Sequence, residues 1–125
     1  MVFSRKETRK KSKKMKDHLE KEWHNTKAKF ENIFGEGLEM DGILFLIGVQ
    51  ELGKGLKTFQ KDEKMNLIHV AVCKLLEPYG YYDFSHRDND GWPHFTQNDQ
   101  LPQLSKKDQE KLLKEAIITY SRTEL

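Results

Sequence analysis

Residues 79–95, YGYYDFSHRDNDGWPHF, concentrate the side chains of this chain that could do chemistry. His86, Asp88, Asp90 and His94 offer imidazole nitrogens and carboxylate oxygens within nine residues, a donor set that suits a divalent transition metal. The same residues fail as a calcium loop of the EF-hand type. Around Asp88-x-Asp90-Gly91 the loop positions that need oxygen ligands at either end hold His86 and Gln97. A second chemistry is recognition. Tyr81, Tyr82 and Trp92 beside Arg87 are the residue types that dominate protein hot spots and that stack on bases. The plainer alternative is structural, with the aromatics leaning on the rest of the protein as apolar area carrying a polar handle.

Other catalytic patterns are weaker. Cys73 lies inside an apolar helical arc, which describes a buried, inert thiol better than a nucleophile. His69 has no second histidine at helical spacing. His18, Glu20, Glu22 and His24 fall on two flanks of one helix as two i,i+4 pairs rather than one site. Gly53-Lys54-Gly55-Leu56-Lys57-Thr58 departs from the phosphate-loop pattern, because a leucine separates the second glycine from Lys-Thr. No Gly-x-Ser-x-Gly, His-Glu-x-x-His or dinucleotide glycine pattern occurs. The sequence implies no cofactor and leans away from an enzyme.

Charge is distributed unevenly. The 125 residues carry 22 Lys+Arg and 20 Asp+Glu, a formal net charge of +2. Arg5, Lys6, Arg9, Lys10, Lys11, Lys13, Lys14 and Lys16 stand against one acid, Glu7, so residues 1–16 are +7 and residues 17–125 are −5. Such a segment is either a solubilising tail or a contact for a polyanion, whether RNA, DNA or an anionic membrane surface. The single cysteine excludes an intramolecular disulfide and points to a reducing, cytoplasmic setting. The basic start is followed by no apolar run, unlike a secretory signal. No stretch has the apolar length of a transmembrane span.

The elements that must position these residues are mainly helical. Met15, Leu19, Trp23, Phe30 and Phe34 repeat at helical spacing, predicting a first helix from about Lys11 to Phe34 that Gly35 and Gly37 stop. Residues 41–53, apolar on all sides and opened by Asp41, predict a buried helix in which Gly42 and Gly48 mark close packing. Residues 63–77 predict a second core helix, ended by Pro78 and Gly80. Pro102 and the box Ser105-x-x-Asp108 predict a last helix over 105–121. Asn89-Asp90-Gly91 is turn chemistry, and Tyr81–Phe84 with Trp92–Thr96 could flank it as a short hairpin.

The expected fold is all-α, a compact bundle of about four helices. The helices 41–53 and 63–77 form its core, the first and last pack outside, and the aromatic hairpin or loop closes one end. The expected organisation is a basic arm, 1–16, and a single helical domain, 17–125. The expected function is a non-catalytic interaction protein: its arm contacts a polyanion, and its first helix or its 79–95 segment contacts a protein. The alternative is a small metal-dependent or ligand-binding enzyme built on 79–95.

Overall fold

A computed structural model of the protein describes the backbone of residues 5–55, 57–98 and 103–125, with side chains described from residue 17 onward. The order of elements is α1 (Arg5–Phe34), α2 (Met40–Leu52), α3 (Lys61–Leu76), β1 (Tyr82–Arg87), β2 (Pro93–Gln97) and α4 (Lys106–Glu124). The fold is mostly helical rather than all-α, because β1 and β2 form a two-stranded antiparallel sheet. Pro78, Gly80, Gly91 and Pro93 deny this stretch a helix, so its backbone groups pair across strands instead.

α1 begins at Arg5, not near Lys11. Lys, Arg, Glu and Met are good helix formers, and like-charge repulsion at i,i+4 costs only a few tenths of a kcal/mol per pair. Neither proline nor glycine interrupts the chain between Arg5 and Phe34. The helix ends where Gly35 takes φ 112° and its N–H donates to the Glu31 carbonyl at 2.8 Å. α2 starts one residue before Asp41: extended Glu39 occupies the cap position without a side-chain capping bond, and Asp41 sits in the first turn, where the helix dipole favours an anion. Gly53, expected to follow α2, caps it in the left-handed region and donates to the Val49 carbonyl. α4 opens as its box predicts, with Ser105 Oγ accepting from the Asp108 N–H at 3.2 Å. Pro102 and Leu56 lie outside the described residues.

Two apolar clusters hold the elements together. The larger joins Phe30 of α1, Ile43, Leu44 and Ile47 of α2, Ala71 and Leu75 of α3, and Ala116, Ile117 and Tyr120 of α4. All four helices therefore share one core, and α1 and α4 do not form an outer layer. The smaller cluster is Val49, Leu52, Phe59 and Leu67, with Phe45 and Trp92 packed on its edge. α2 and α3 meet closely at Gly48, where a Cβ would stand 2.1 Å from the Leu67 carbonyl oxygen. At Gly42 the nearest neighbour of a Cβ would be the mobile end of Leu38, at 3.2 Å. Both glycines are thus closely packed, Gly48 against backbone and Gly42 against a side-chain tip that has only a few tenths of an ångström to give.

Candidate functional site

The 79–95 segment is organised by its turn. Asp88 Oδ1 accepts from the backbone N–H of Asp90 at 3.0 Å and of Trp92 at 2.9 Å. Its other oxygen, Oδ2, meets His94 Nε2 at 2.9 Å. The Asp88 N–H donates to the Trp92 carbonyl and the Gly91 N–H to the Asp88 carbonyl, both at 2.9 Å. The His94 hydrogen bond, then the two backbone donors, hold the Asp88 carboxyl below the usual carboxylate range. One aspartate thus closes the turn by mimicking backbone, as Asx turns do.

A β-bulge decides which residues face each other. The register pairs Phe84 with Phe95 and then His86 with His94, so Ser85 is the extra residue. Its hydroxyl meets His86 Nδ1 at 2.8 Å. The two imidazoles stack, with centroids 4.9 Å apart and planes 7° from parallel. Side chains alternate along β2: Pro93 is buried and Phe95 half-buried, whereas His94 and Thr96 are exposed on the other face.

Of the four metal-capable residues, the turn brings together Asp88 and His94, and the bulge adds His86 through its ring. The Asp90 side chain is exposed, and it is the Asp90 backbone that the turn uses. Among the described residues no three His, Cys, Asp or Glu side chains converge so as to hold a metal ion.

The recognition set is dispersed. Arg87 donates through one nitrogen to the Gly91 carbonyl at 2.8 Å and through the other to the Glu51 carbonyl in the last turn of α2 at 2.9 Å. Lys54 Nζ donates to the Asp90 carbonyl. Two cations therefore fasten the turn to the negative end of α2. Trp92 leans on the smaller core cluster. Tyr81 stacks on Tyr79 at 6.4 Å, and Tyr82, half-buried, has its phenol pushed up by burial. Arg87 and Trp92 serve docking, while Tyr81 belongs to a separate ring pair.

The packing of the hairpin against α3 adds a cleft of about 410 Å³, lined by Glu63, Asn66, His69, Asp88, Trp92 and His94 among others. Glu63, Asn66 and His69 recur at three-residue spacing on α3, which reads in sequence only as a polar stripe. His69 Nε2 lies 3.5 Å from Cys73 Sγ, a neighbour that the isolated histidine had not suggested. The pair does not activate the sulfur: Cys73 is 1% exposed, and burial pushes its thiol up to about 11. Thiol reagents at pH 8 should therefore label native Cys73 at least about a hundredfold more slowly than the urea-unfolded chain. Equal labelling rates would show that the thiol is open to solvent.

Sequence reasoning missed Glu51. Its carboxylate accepts from the Tyr120 hydroxyl at 3.0 Å and lies 3.9 Å from Lys74 Nζ. Burial, then the Glu51 charge, pushes the Tyr120 phenol up, so it stays a donor. A signal existed: a carboxylate in a helix's last turn opposes the dipole and calls for tertiary partners. On α1, His18 pairs with Glu22 at 3.1 Å as the spacing suggests, and Glu22 also receives Arg122 at 2.8 Å. Glu20 reaches across to Lys114 at 3.3 Å, a partner on α4 that local spacing did not indicate. The side chains of Arg5, Lys6, Arg9, Lys10, Lys11, Lys13, Lys14 and Lys16 lie outside the described residues, although α1 carries the backbone of all eight.

The role of Asp88 can be separated atom by atom. Asp88→Asn keeps an oxygen for the two turn N–H groups, whereas Asp88→Ala removes it. Amide exchange at Asp90 and Trp92 should speed up by about tenfold or more in the alanine variant and by much less in the asparagine variant. In the native chain, turn protection should be complete above the unfolded carboxylate pKa. It should be lost as pH falls through the lower folded value, since the folded state holds this carboxylate deprotonated longer. Equal exchange in the two variants would remove Asp88 as the organiser.

The fold is a four-helix protein with an antiparallel hairpin fastened to the end of α2. No described helix is long and apolar enough to cross a membrane. Comparisons with protein-family models, curated proteins and solved structures find no match to the chain.

Proposed function

We propose that the protein is a non-catalytic binding protein whose basic N-terminal residues engage a polyanion, with its helical body engaging a protein partner. The observation that carries this reading is the charge split, +7 over residues 1–16 against −5 over the remainder, together with the helical backbone through all eight cations. A helix fixes the cations along one rod, so fewer degrees of freedom are lost on contact than from a coil. The acidic remainder disfavours non-specific adhesion of the body to the same polyanion. Ile33, Phe34 and Phe84 are exposed on α1 and the hairpin, the two elements assigned to the protein partner. The single cysteine, buried and unpaired, accords with a reducing cytoplasmic setting.

The test is salt-dependent binding to heparin by the full chain and by a variant with Arg5, Lys6, Arg9 and Lys10 changed to Gln. The log–log salt slope should fall by roughly one unit per phosphate-like contact removed, and the melting transition should be unchanged. Indistinguishable heparin binding by the two proteins would sink the proposal. The metal-dependent alternative has no comparable support, since the turn's aspartate and histidine already serve each other.

A further inference from the structure

Resting on that reading, we infer that the polyanion is B-form duplex DNA, entered through its major groove by the first three turns of α1. Residues 5–16 span about 18 Å of helix at 1.5 Å per residue. At about 100° per residue, seven of the eight cations occupy an arc of about 180°, running from Arg5 through Arg9, Lys13 and Lys6 to Lys14. Thr8, Ser12 and Met15 continue the narrow line that Leu19, Trp23, Thr26 and Phe30 follow toward the body.

This distribution discriminates among polyanions. A helix lying in a membrane interface needs a broad apolar face, and Met15 is the one apolar residue among these twelve. A-form RNA has a deep, narrow major groove closed to a helix. The B-form major groove, about 12 Å wide, admits a helix of about 10–12 Å diameter and flanks it with phosphates on both sides. A half-cylinder of cations with short hydroxyl residues at its back suits that geometry. The anchoring of α1 by Trp23 and Phe30 joins these basic turns to a remainder whose net charge is −5.

The experiment is anisotropy titration of the full chain with a labelled 20-base-pair DNA duplex, the RNA duplex of the same sequence, heparin, and vesicles with and without phosphatidylserine. Ser12→Pro is titrated alongside, because it keeps every charge while breaking the helix between its basic halves. The DNA duplex should bind about tenfold or more tightly than the RNA duplex. Ser12→Pro should lose about tenfold on DNA and little on heparin, with an unchanged melt. Equal affinity for both duplexes, or no effect of Ser12→Pro on DNA, would overturn groove entry while leaving the polyanion reading standing. Preference for phosphatidylserine vesicles over DNA would overturn the assignment to DNA. Failure to bind heparin, DNA, RNA and vesicles alike would remove both proposals.

Discussion

Gly48→Ala should destabilise the protein by about 3 kcal/mol, at the upper end of what one added methyl costs in a packed interior. Elsewhere in a helix the same change stabilises by roughly 0.5–1 kcal/mol, because alanine loses less entropy than glycine. The reversal comes from the α2–α3 contact: the new Cβ would lie 2.1 Å from the Leu67 carbonyl oxygen and 2.7 Å from its carbon. Backbone cannot rotate away as a side-chain tip can, so the two central helices must separate and both apolar clusters loosen. Gly42→Ala supplies the contrast, since it meets only the end of Leu38 and should leave stability within about 1 kcal/mol. Urea denaturation followed by far-ultraviolet circular dichroism reads both. A Gly48→Ala protein as stable as the parent would mean that α2 and α3 do not approach this closely.

Phe30→Ala should cost about 3–5 kcal/mol, the range for deleting a fully buried aromatic ring. Phe30 is 1% exposed in the cluster that all four helices share. The other attachments of α1 are weaker. Thr26 is buried but small, and Trp23 is half-buried beneath Lys114, whose Nζ lies 5.8 Å from the ring centre. The Glu20–Lys114 and Glu22–Arg122 pairs sit near the surface, where such pairs contribute about 0–1 kcal/mol. Loss of Phe30 should therefore release α1 before the remainder unfolds. The signs would be faster proteolysis within residues 17–34 and a broadened melt. Arg122→Ala should change the melt by no more than a few degrees. A Phe30→Ala protein with parental stability and protease resistance would place the anchoring of α1 elsewhere.

Much of the fold was legible because its signals are local. An all-apolar run bounded by glycine defined α2, and Asn89-Asp90-Gly91 located the hairpin. α1 starts about six residues before its apolar stripe suggests, because an unbroken run of helix formers outweighs the repulsion between like charges. The inner and outer division of helices failed because Phe30 and Ile117 look like members of modest amphipathic stripes and are among the most buried side chains. At the candidate site, the sequence located a turn-centred hairpin but not the tertiary partners of its side chains. The bond that ties Arg87 to the Glu51 carbonyl spans 36 residues and leaves no local trace. The bulge at Ser85 that sets His86 opposite His94 has no local code. The cleft against α3 required knowing which helix face the strands would cover.

The last turn of α2 has a consequence for how the molecule opens. Glu51 offers its carbonyl to Arg87 of β1 and its carboxylate to Tyr120 of α4, and Lys54, just beyond that turn, reaches Asp90. Unwinding that single turn would release hydrogen bonds to the hairpin and to the far end of α4 together. The two regions should therefore breathe as one unit despite having no strand or helix in common. Their amides should exchange with matching free energies, and Glu51→Pro, which breaks the turn that carries both acceptors, should raise both rates in step. Exchange that rises in only one region would show that they open separately.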